Sequence, residues 1–341
     1  MANILILGSG GFGVSLAVML HKSGHQVTMW SKFQQEIDEI RLYGENRKLL
    51  PGIAVDMSIR LTTSMESAAD ADLAIIAVPS FAVRDVAKEL SAYISPKTIV
   101  ANVGKGFEGS SLLRLSEVIQ QELPGNDVVV LSGPSHAEEI ARNVPTTIVA
   151  ACARRESAET VQDLLMNTNL RIYVNDDMVG VELGGALKNI IAVCAGICDG
   201  LGLGDNTKAA LMTRGLAEIA RLGAAMGAQA ETFTGLTGMG DLIVTCTSMH
   251  SRNRRAGILI GQGLSADEAV KRVGMTVEGC NADKAAYELA KKYHVEMPIT
   301  EQLYLVLTAG KNVQQAISDL MGRPRRHENE DIWIRETERR G

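Results

Sequence analysis

The sequence predicts an α/β protein with a doubly wound N-terminal domain over residues 1–180 and an all-α C-terminal domain over residues 181–341. Near-continuous apolar runs alternate with amphipathic helical patterns up to Val174, which is typical of a mainly parallel sheet covered on both faces. Beyond Val174 the strand pattern ceases and only helical periodicity continues. A glycine motif directly after the first strand is the third observation behind this fold class.

The elements follow from these patterns. Strand candidates lie at residues 3–7, 26–30, 72–78, 98–103, 127–132, 146–152 and 170–174. Helical patterns lie at residues 12–23, 34–43, 81–93, 111–122, 135–142 and 156–167, and in the second half at 206–226, 265–273, 281–293 and 299–308. The charged tail from Gly322 onward is expected to be loosely ordered in its last part.

Composition narrows the class of protein. The chain has 341 residues, 46% apolar and 22% charged, with a net charge of -6, so it lacks the basic surface of a nucleic-acid or anionic-membrane binder. Its five cysteines have no metal-ligand spacing, which predicts reduced thiols and no metal. The N-terminus lacks the pattern of a signal peptide, and charged residues interrupt the longest apolar segment. We therefore expect a cytoplasmic protein without a membrane span.

The first motif is G-x-G-x-x-G at Gly8, Gly10 and Gly13, between a predicted strand and a predicted helix. In this context the glycines permit a tight turn, close approach of the backbone to a pyrophosphate, and close packing of helix on strand. The motif therefore predicts a Rossmann-type dinucleotide site. The alternative is a glycine turn that binds nothing.

The end of the second strand bears on which cofactor is used. NAD-selective domains place an acidic residue there, but this chain has Ser31 and Lys32 and no acid until Glu36. A cation at this place can face a 2'-phosphate, which favours NADPH. A solvated surface lysine is the other interpretation of Lys32.

One lysine stands out in the second half. Lys188 lies in the apolar, glycine-containing segment 180–196, where an ammonium without partners costs several kcal/mol. Either its side chain reaches water, or a functional site uses it. Three further segments resemble ligand sites: the loop around Lys105, the loop from Gly133 to Ser135, and the run from Asp241 to Asn253. Taken singly, each also fits an exposed loop lysine, a helix cap or a solvated basic face.

Together these segments resemble the bacterial-type NAD(P)-dependent glycerol-3-phosphate dehydrogenases. The resemblance covers nearly the whole chain and rests, in order, on the motifs GSGGFG, VGKG, LSGPSHAEE, GVELGGALKNIIA, TRGLAEIARLGAAMGA, GLTGMGDLIVTCTS, SRNRR, VEG and MPIT. Four positions depart from the family pattern. Gly11 and Phe12 stand where Ser-Trp is common, Phe33 where a basic residue is common, and Thr276 where Val is common.

The resemblance implies roles for particular residues. It implies cofactor contacts at Gly8, Gly10, Gly11, Phe12, Gly13, Lys32, Phe33, Lys105, Ala137, Arg252, Thr276 and Glu278. It implies substrate contacts at Lys105, Gly133, Ser135, Lys188, Asp241, Ser251, Arg252 and Asn253. Among these, Lys188 matches the catalytic lysine.

The implied reaction is the reversible reduction of dihydroxyacetone phosphate to sn-glycerol 3-phosphate, with NADPH preferred and NADH also accepted, to supply the glycerophospholipid backbone. A homodimer is the family expectation. Because hydride transfer leaves negative charge on the substrate's C2 oxygen, a proton donor must lie there, and Lys188 is the candidate. Two alternatives stay open: a reductase of a related keto acid, and a dinucleotide-sensing protein without catalysis. The phosphate-type run at residues 251–253 argues against the first, and retention of Lys188 and Asp241 argues against the second.

Overall fold

The computed structural model describes residues 1–325 and residue 328, and in this part of the chain eight strands form a single sheet. In chain order the strands are β1 Asn3–Leu7, β2 Gln26–Trp30, β3 Arg60–Thr62, β4 Leu73–Ile76, β5 Ile99–Asn102, β6 Val128–Ser132, β7 Thr146–Ala151 and β8 Leu170–Asn175. Their order across the sheet is β3-β2-β1-β4-β5-β6-β7-β8. The predicted α/β class is confirmed. The expectation for the charged tail falls largely outside the described residues.

Two properties of the sheet differ from a uniform parallel arrangement. β3 is a three-residue edge strand that pairs with β2 at Met29 and Leu61, and it is too short to give a sequence pattern. β7 runs antiparallel to β6, and β8 runs parallel to β7, whereas the other neighbouring strands pair in parallel. Antiparallel neighbours do not need the long crossover connection that parallel neighbours require, so β7 can follow β6 directly in the sheet. The sheet is therefore mainly parallel, as the sequence predicts, with a reversed edge.

Six helices cover the sheet. They are α1 Gly11–Lys22, α2 Gln34–Tyr43, α3 Val83–Leu90, α4 Leu115–Glu122, α5 Ala137–Ala141 and α6 Arg155–Leu165. Successive strand residues point to opposite faces, so Ile4 joins the core beneath α1, α2, α5 and α6, while Leu5 joins the core beneath α3 and α4. The two apolar cores explain why the strands lack polar alternation.

The second half is helical throughout its described residues. Its helices are α7 Met178–Gly200, α8 Asp205–Ala225, α9 Ala230–Thr234, α10 Asp241–Thr247, α11 Arg252–Gly261, α12 Ala266–Val273, α13 Glu278–Lys292, α14 Pro298–Ala309 and α15 Val313–Met321. A single π-helical turn, Leu236–Gly240, leads into α10. The all-α prediction for this half is confirmed.

The central helix of this half is α7, which packs against α8, α10, α11 and α13. By length and mean hydropathy, 1.5 over its most apolar 18 residues, α7 could cross a membrane, but 94% of that window is buried inside the protein. A helix that is buried on all sides needs no polar face, so burial explains the composition of α7. Its apolarity therefore reflects a core position.

The start of α7 is fixed to both halves of the chain. Asp177 caps the helix by accepting a hydrogen bond from Gly180 N at 2.8 Å, and its other oxygen accepts one from Thr232 Oγ1 at 2.6 Å. Glu182 accepts from Arg114 Nη1 at 2.6 Å and from Ser116 N at 2.8 Å. These contacts set the orientation from which the rest of α7 projects its side chains. The predicted domain limit at residue 180 falls in the first turn of α7 and stays a prediction.

Candidate active site

The glycine motif forms a tight turn between β1 and α1. Gly8 has φ +130°, and a Cβ there would lie 2.5 Å from Ala77 O, so this position requires glycine. A Cβ on Gly13 would lie 2.1 Å from Gly8 O, which shows how closely the helix crosses the turn. The helix begins at Gly11 after Gly10, which provides no side-chain cap. The first backbone amides of α1 therefore remain donors for an anion.

The other residues expected at the adenosine end lie in different environments. Phe12 is partly buried and packs against the core beneath α1, whereas Lys32 is exposed and Phe33 is 60% exposed. Ala137 lies near the turn, since its Cβ is 3.9 Å from where a Cβ on Gly11 would be. The structure thus brings the glycine turn, the end of β2 and the start of α5 to one edge of the sheet, and Phe12 contributes packing there.

Lys188 belongs to a buried ionic cluster centred on Asp241, here called the Lys-Asp-Lys cluster: Lys105, Asp241 and Lys188. Lys188 Nζ donates to Asp241 Oδ1 at 2.6 Å and to Thr245 Oγ1 at 2.5 Å. Lys105 Nζ donates to the other oxygen, Asp241 Oδ2, at 2.6 Å. The side chains of Lys188 and Asp241 are 6% and 2% exposed, and that of Lys105 is 20% exposed. One carboxylate therefore holds two ammonium groups, one deeply buried and one nearer the surface.

Electrostatics within the cluster favour proton exchange by Lys188. Burial lowers the pKa of Lys188 to about 8, with Lys105 acting in the same direction and Asp241 opposing it. Burial alone would raise the pKa of the Asp241 carboxyl, but Lys105 and Lys188 together hold it below its ordinary value. Lys188 is thus an ammonium that can release its proton within about one pH unit of neutrality.

The loop after β6 completes the cluster. Lys105 Nζ also donates to Gly133 O at 2.9 Å and approaches Ser135 Oγ at 3.4 Å. A Cβ on Gly185 of α7 would lie 2.5 Å from Ser132 Oγ, so glycine here lets α7 come close to the end of β6. In the structure, the nearest neighbours of that position are protein side chains.

The predicted phosphate-binding run forms the start of α11. Ser251 caps the helix by accepting from Arg254 N at 3.2 Å. Asn253 donates to Asn189 Oδ1 at 2.8 Å and accepts from Gly279 N at 2.9 Å, so its amide joins α11 to α7 and α13. Arg252 is exposed and forms no ion pair with any described residue. Within the run at residues 251–253, Arg252 is therefore the side chain whose charge an anion could contact. The amide nitrogen and oxygen of Asn253 both already have protein partners.

The remaining predicted cofactor positions lie at the start of α13. Glu278 accepts from Ser80 N at 3.1 Å and from Ser80 Oγ at 2.7 Å, which joins the helical half to the loop after β4. Thr276 is partly buried in the turn before this helix. The Glu278 side chain therefore bridges the two halves of the chain.

The sequence interpretation missed two groups at the site. Thr245 lies four residues after Asp241 on α10, a spacing that puts both on one helix face, and its hydroxyl donates to Asp241 O at 2.6 Å while accepting from Lys188. Arg255, one turn after Arg252, has a buried Nε that meets no acceptor in the described chain. Helical spacing could have identified Thr245. Arg255 could not be separated from the neighbouring arginines by pattern alone.

The fold and the site define a class of protein: a dinucleotide-dependent oxidoreductase with a Rossmann half and a helical half. Two family models match, the NAD-dependent glycerol-3-phosphate dehydrogenase N-terminus over residues 3–158 and the C-terminus over residues 177–318. The chain belongs to the NAD-dependent glycerol-3-phosphate dehydrogenase family.

Individual relatives agree with this assignment. The chain is 53% identical over 329 residues to a glycerol-3-phosphate dehydrogenase (NAD(P)+) of Clostridium perfringens strain SM101, covering 96% of this chain and 99% of the relative. It is 51% identical over 336 residues to the protein of that name from Bacillus subtilis strain 168, covering 97% of each. The crystal structure of glycerol-3-phosphate dehydrogenase from Coxiella burnetii superposes with a TM-score of 0.91 at 38% identity, covering 94% of this chain and 99% of that one. The resemblance seen in the sequence is confirmed.

Proposed function

We propose that the protein catalyses the reversible reduction of dihydroxyacetone phosphate to sn-glycerol 3-phosphate with a nicotinamide dinucleotide. The observation that carries this proposal is the buried Lys188 ammonium, which Asp241 and Thr245 hold beside Lys105. This geometry supplies a fixed proton donor at the junction of the two halves. The relatives named above carry the same activity in their names.

The glycine turn fits a dinucleotide. The uncapped amides at the start of α1 and the close crossing at Gly13 leave the backbone available to a pyrophosphate. The bound cofactor supplies the hydride that reduces the substrate carbonyl carbon. We propose NADPH as the preferred cofactor, with NADH also accepted, on the support of the exposed Lys32 at the end of β2.

Lys188 has two tasks in the reduction. Its ammonium donates a hydrogen bond to the substrate's C2 oxygen, which polarises the carbonyl for hydride attack. As the carbon–oxygen double bond becomes an alkoxide, a proton moves from Nζ to that oxygen and leaves Lys188 as the amine. In the oxidation direction the amine takes the proton of the alcohol. Asp241 keeps the side chain oriented, and its charge stabilises the ammonium form.

We place the substrate phosphate at the start of α11. Arg252 and Arg255 lie on the same face of the helix and form no ion pair within the described chain, although the charges of Glu278 and Glu138 act on Arg252. The helix N-terminus adds a partial positive charge. Two adjacent guanidinium groups repel one another unless an anion lies between them. Lys105, Gly133 and Ser135 would contact the other end of the substrate, with Ser251 and Asn253 shaping the phosphate end.

The cellular setting is part of the proposal. We place the enzyme in the cytoplasm, where reduced thiols persist, on the support that all five cysteines are free. The product would serve as the glycerophospholipid backbone. We also propose a homodimer, which light scattering of the purified protein would test.

The test follows NADPH absorbance on addition of dihydroxyacetone phosphate, for the parent protein and for Lys188→Met. We expect turnover by the parent and a loss of roughly a thousandfold or more in the variant, because both the electrostatic and the proton-transfer contributions disappear. Cofactor binding should survive. Absence of NADPH oxidation by the parent would contradict the proposed reaction, and a fully active variant would remove Lys188 from it.

A further inference from the structure

A carboxylate lies at the end of β2 although the residues that directly follow this strand are not acidic. Glu36, in the first turn of α2, accepts from Ser9 Oγ and from Ser31 Oγ, each at 2.5 Å and each on its Oε2 atom. Ser9 belongs to the glycine turn and Ser31 follows β2, and both residues are 2% exposed. The helix thus returns an acid to the gap between the turn and the strand.

This arrangement leaves one carboxylate oxygen available. Both serine hydroxyls bind Oε2, whereas Oε1 of Glu36 receives no hydrogen bond from the part of the chain that the structure describes. The side chain is only partly buried, and Oε1 is not among the buried polar atoms that lack a partner, so this atom reaches the surface. Because both hydroxyls bind Oε2, they also fix the direction in which Oε1 points. Glu36 therefore presents a preoriented acceptor beside the glycine turn.

The position of Glu36 and its free acceptor oxygen suit the ribose 2'-hydroxyl of a dinucleotide. In Rossmann domains the adenosine ribose lies between the glycine turn and the end of the second strand, and a carboxylate there accepts a hydrogen bond from the ribose 2'-hydroxyl. A 2'-phosphate at the same place would meet like charge. Lys32, exposed on the same connection, has the opposite preference. The two side chains therefore favour different cofactors.

We propose that Glu36 is a cofactor-selectivity residue, which accepts the ribose 2'-hydroxyl of NADH and opposes the preference of Lys32 for a 2'-phosphate. This inference rests on the cofactor site of the proposed function and adds the group that permits NADH. A purely structural Glu36 would only fasten α2 to the turn through Ser9 and Ser31. Its loss would then weaken both cofactors alike.

The experiment titrates protein fluorescence with NADH, NADPH and 2'-deoxy-NADH for the parent, Glu36→Gln, Glu36→Ala and the control Glu39→Gln. Glu39 lies one turn further on α2, is exposed, and accepts only from Gln35 Nε2 at 2.9 Å within the described chain. Glu36→Gln keeps an acceptor for the two serines, so it preserves the turn if Glu36→Ala does not fold. Thermal melting of each variant checks folding.

We expect the ratio of NADPH to NADH affinity to rise roughly tenfold or more in both Glu36 variants, since a hydrogen bond to a charged group is lost with NADH and repulsion is relieved with NADPH. The control should keep the parent ratio. Binding of 2'-deoxy-NADH should not differ between parent and Glu36 variants, because this cofactor lacks the group concerned.

Equal weakening of NADH and NADPH would overturn the inference, as would a Glu36 variant that loses 2'-deoxy-NADH as strongly as NADH. Because the titration requires no substrate, it tests Glu36 independently of the reaction. A parent protein that binds both cofactors but fails to reduce dihydroxyacetone phosphate would contradict the proposed function and leave the selectivity result standing.

Discussion

The pKa of about 8 for Lys188 predicts opposite pH profiles for the two directions of the reaction. Reduction needs the ammonium and oxidation needs the amine. With this pKa, roughly 90% of the free enzyme carries the ammonium at pH 7, half at pH 8 and about 10% at pH 9. We therefore expect kcat/KM for reduction to fall about tenfold between pH 7 and pH 9, and kcat/KM for oxidation to rise by a similar factor.

The assay measures initial rates of NADPH oxidation and of NADP reduction at constant ionic strength over this range. The profile of kcat/KM reports the free enzyme, and the substrate phosphate, with a second pKa near 6, is almost fully ionised above pH 7. Asp241→Asn is the diagnostic variant. Removing this carboxylate deletes the charge that raises the pKa of Lys188, so the midpoint of both profiles should move to lower pH. Profiles that are flat from pH 7 to pH 9, or an unmoved midpoint in Asp241→Asn, would refute the reasoning.

Three further predictions concern groups around the site and the core. Thr245→Val removes a hydroxyl partner of Lys188, so kcat/KM for reduction should fall roughly tenfold, with its midpoint at lower pH. Arg255→Gln should raise KM for dihydroxyacetone phosphate roughly tenfold at unchanged kcat, whereas the exposed control Arg272→Gln should not; equal KM values would exclude Arg255 from the phosphate site. Burial raises the pKa of Glu218 to about 7 from an ordinary 4.5, so the folded state holds its proton longer than the unfolded chain, and stability should fall by about 3 kcal/mol from pH 4.5 to pH 7. Urea unfolding of Glu218→Gln should show a correspondingly smaller pH dependence, and an undiminished one would assign the effect to other groups.

The sequence alone was sufficient to predict features that depend on residues close together in the chain. Gly8 and Gly13 sit in a strand-turn-helix context, and Lys188 is visible as a charge in an apolar helix, so both the fold class and the central lysine were predicted. What the sequence could not give is pairing between distant residues. Lys105 and Asp241 are 136 positions apart, and nothing in either local segment identifies them as partners. Glu36 was visible as the first acid after β2, but its hydrogen bond with Ser9 of the glycine turn, 27 positions away, was not.

Asp241 binds both Lys188 and Lys105, and this connects the proposed proton donor to the contact between the two halves of the chain. Lys105 follows β5 of the sheet, whereas Asp241 and Lys188 belong to the helical half, so the bond from Lys105 to Asp241 crosses between them. The Lys105 charge lowers the pKa of Lys188 only when the halves lie together. Burial is the largest cause of the lowered pKa of Lys188, and Lys105 adds to it from across the junction. The pKa of the proton donor is therefore set in part by a residue of the half that also carries the glycine turn.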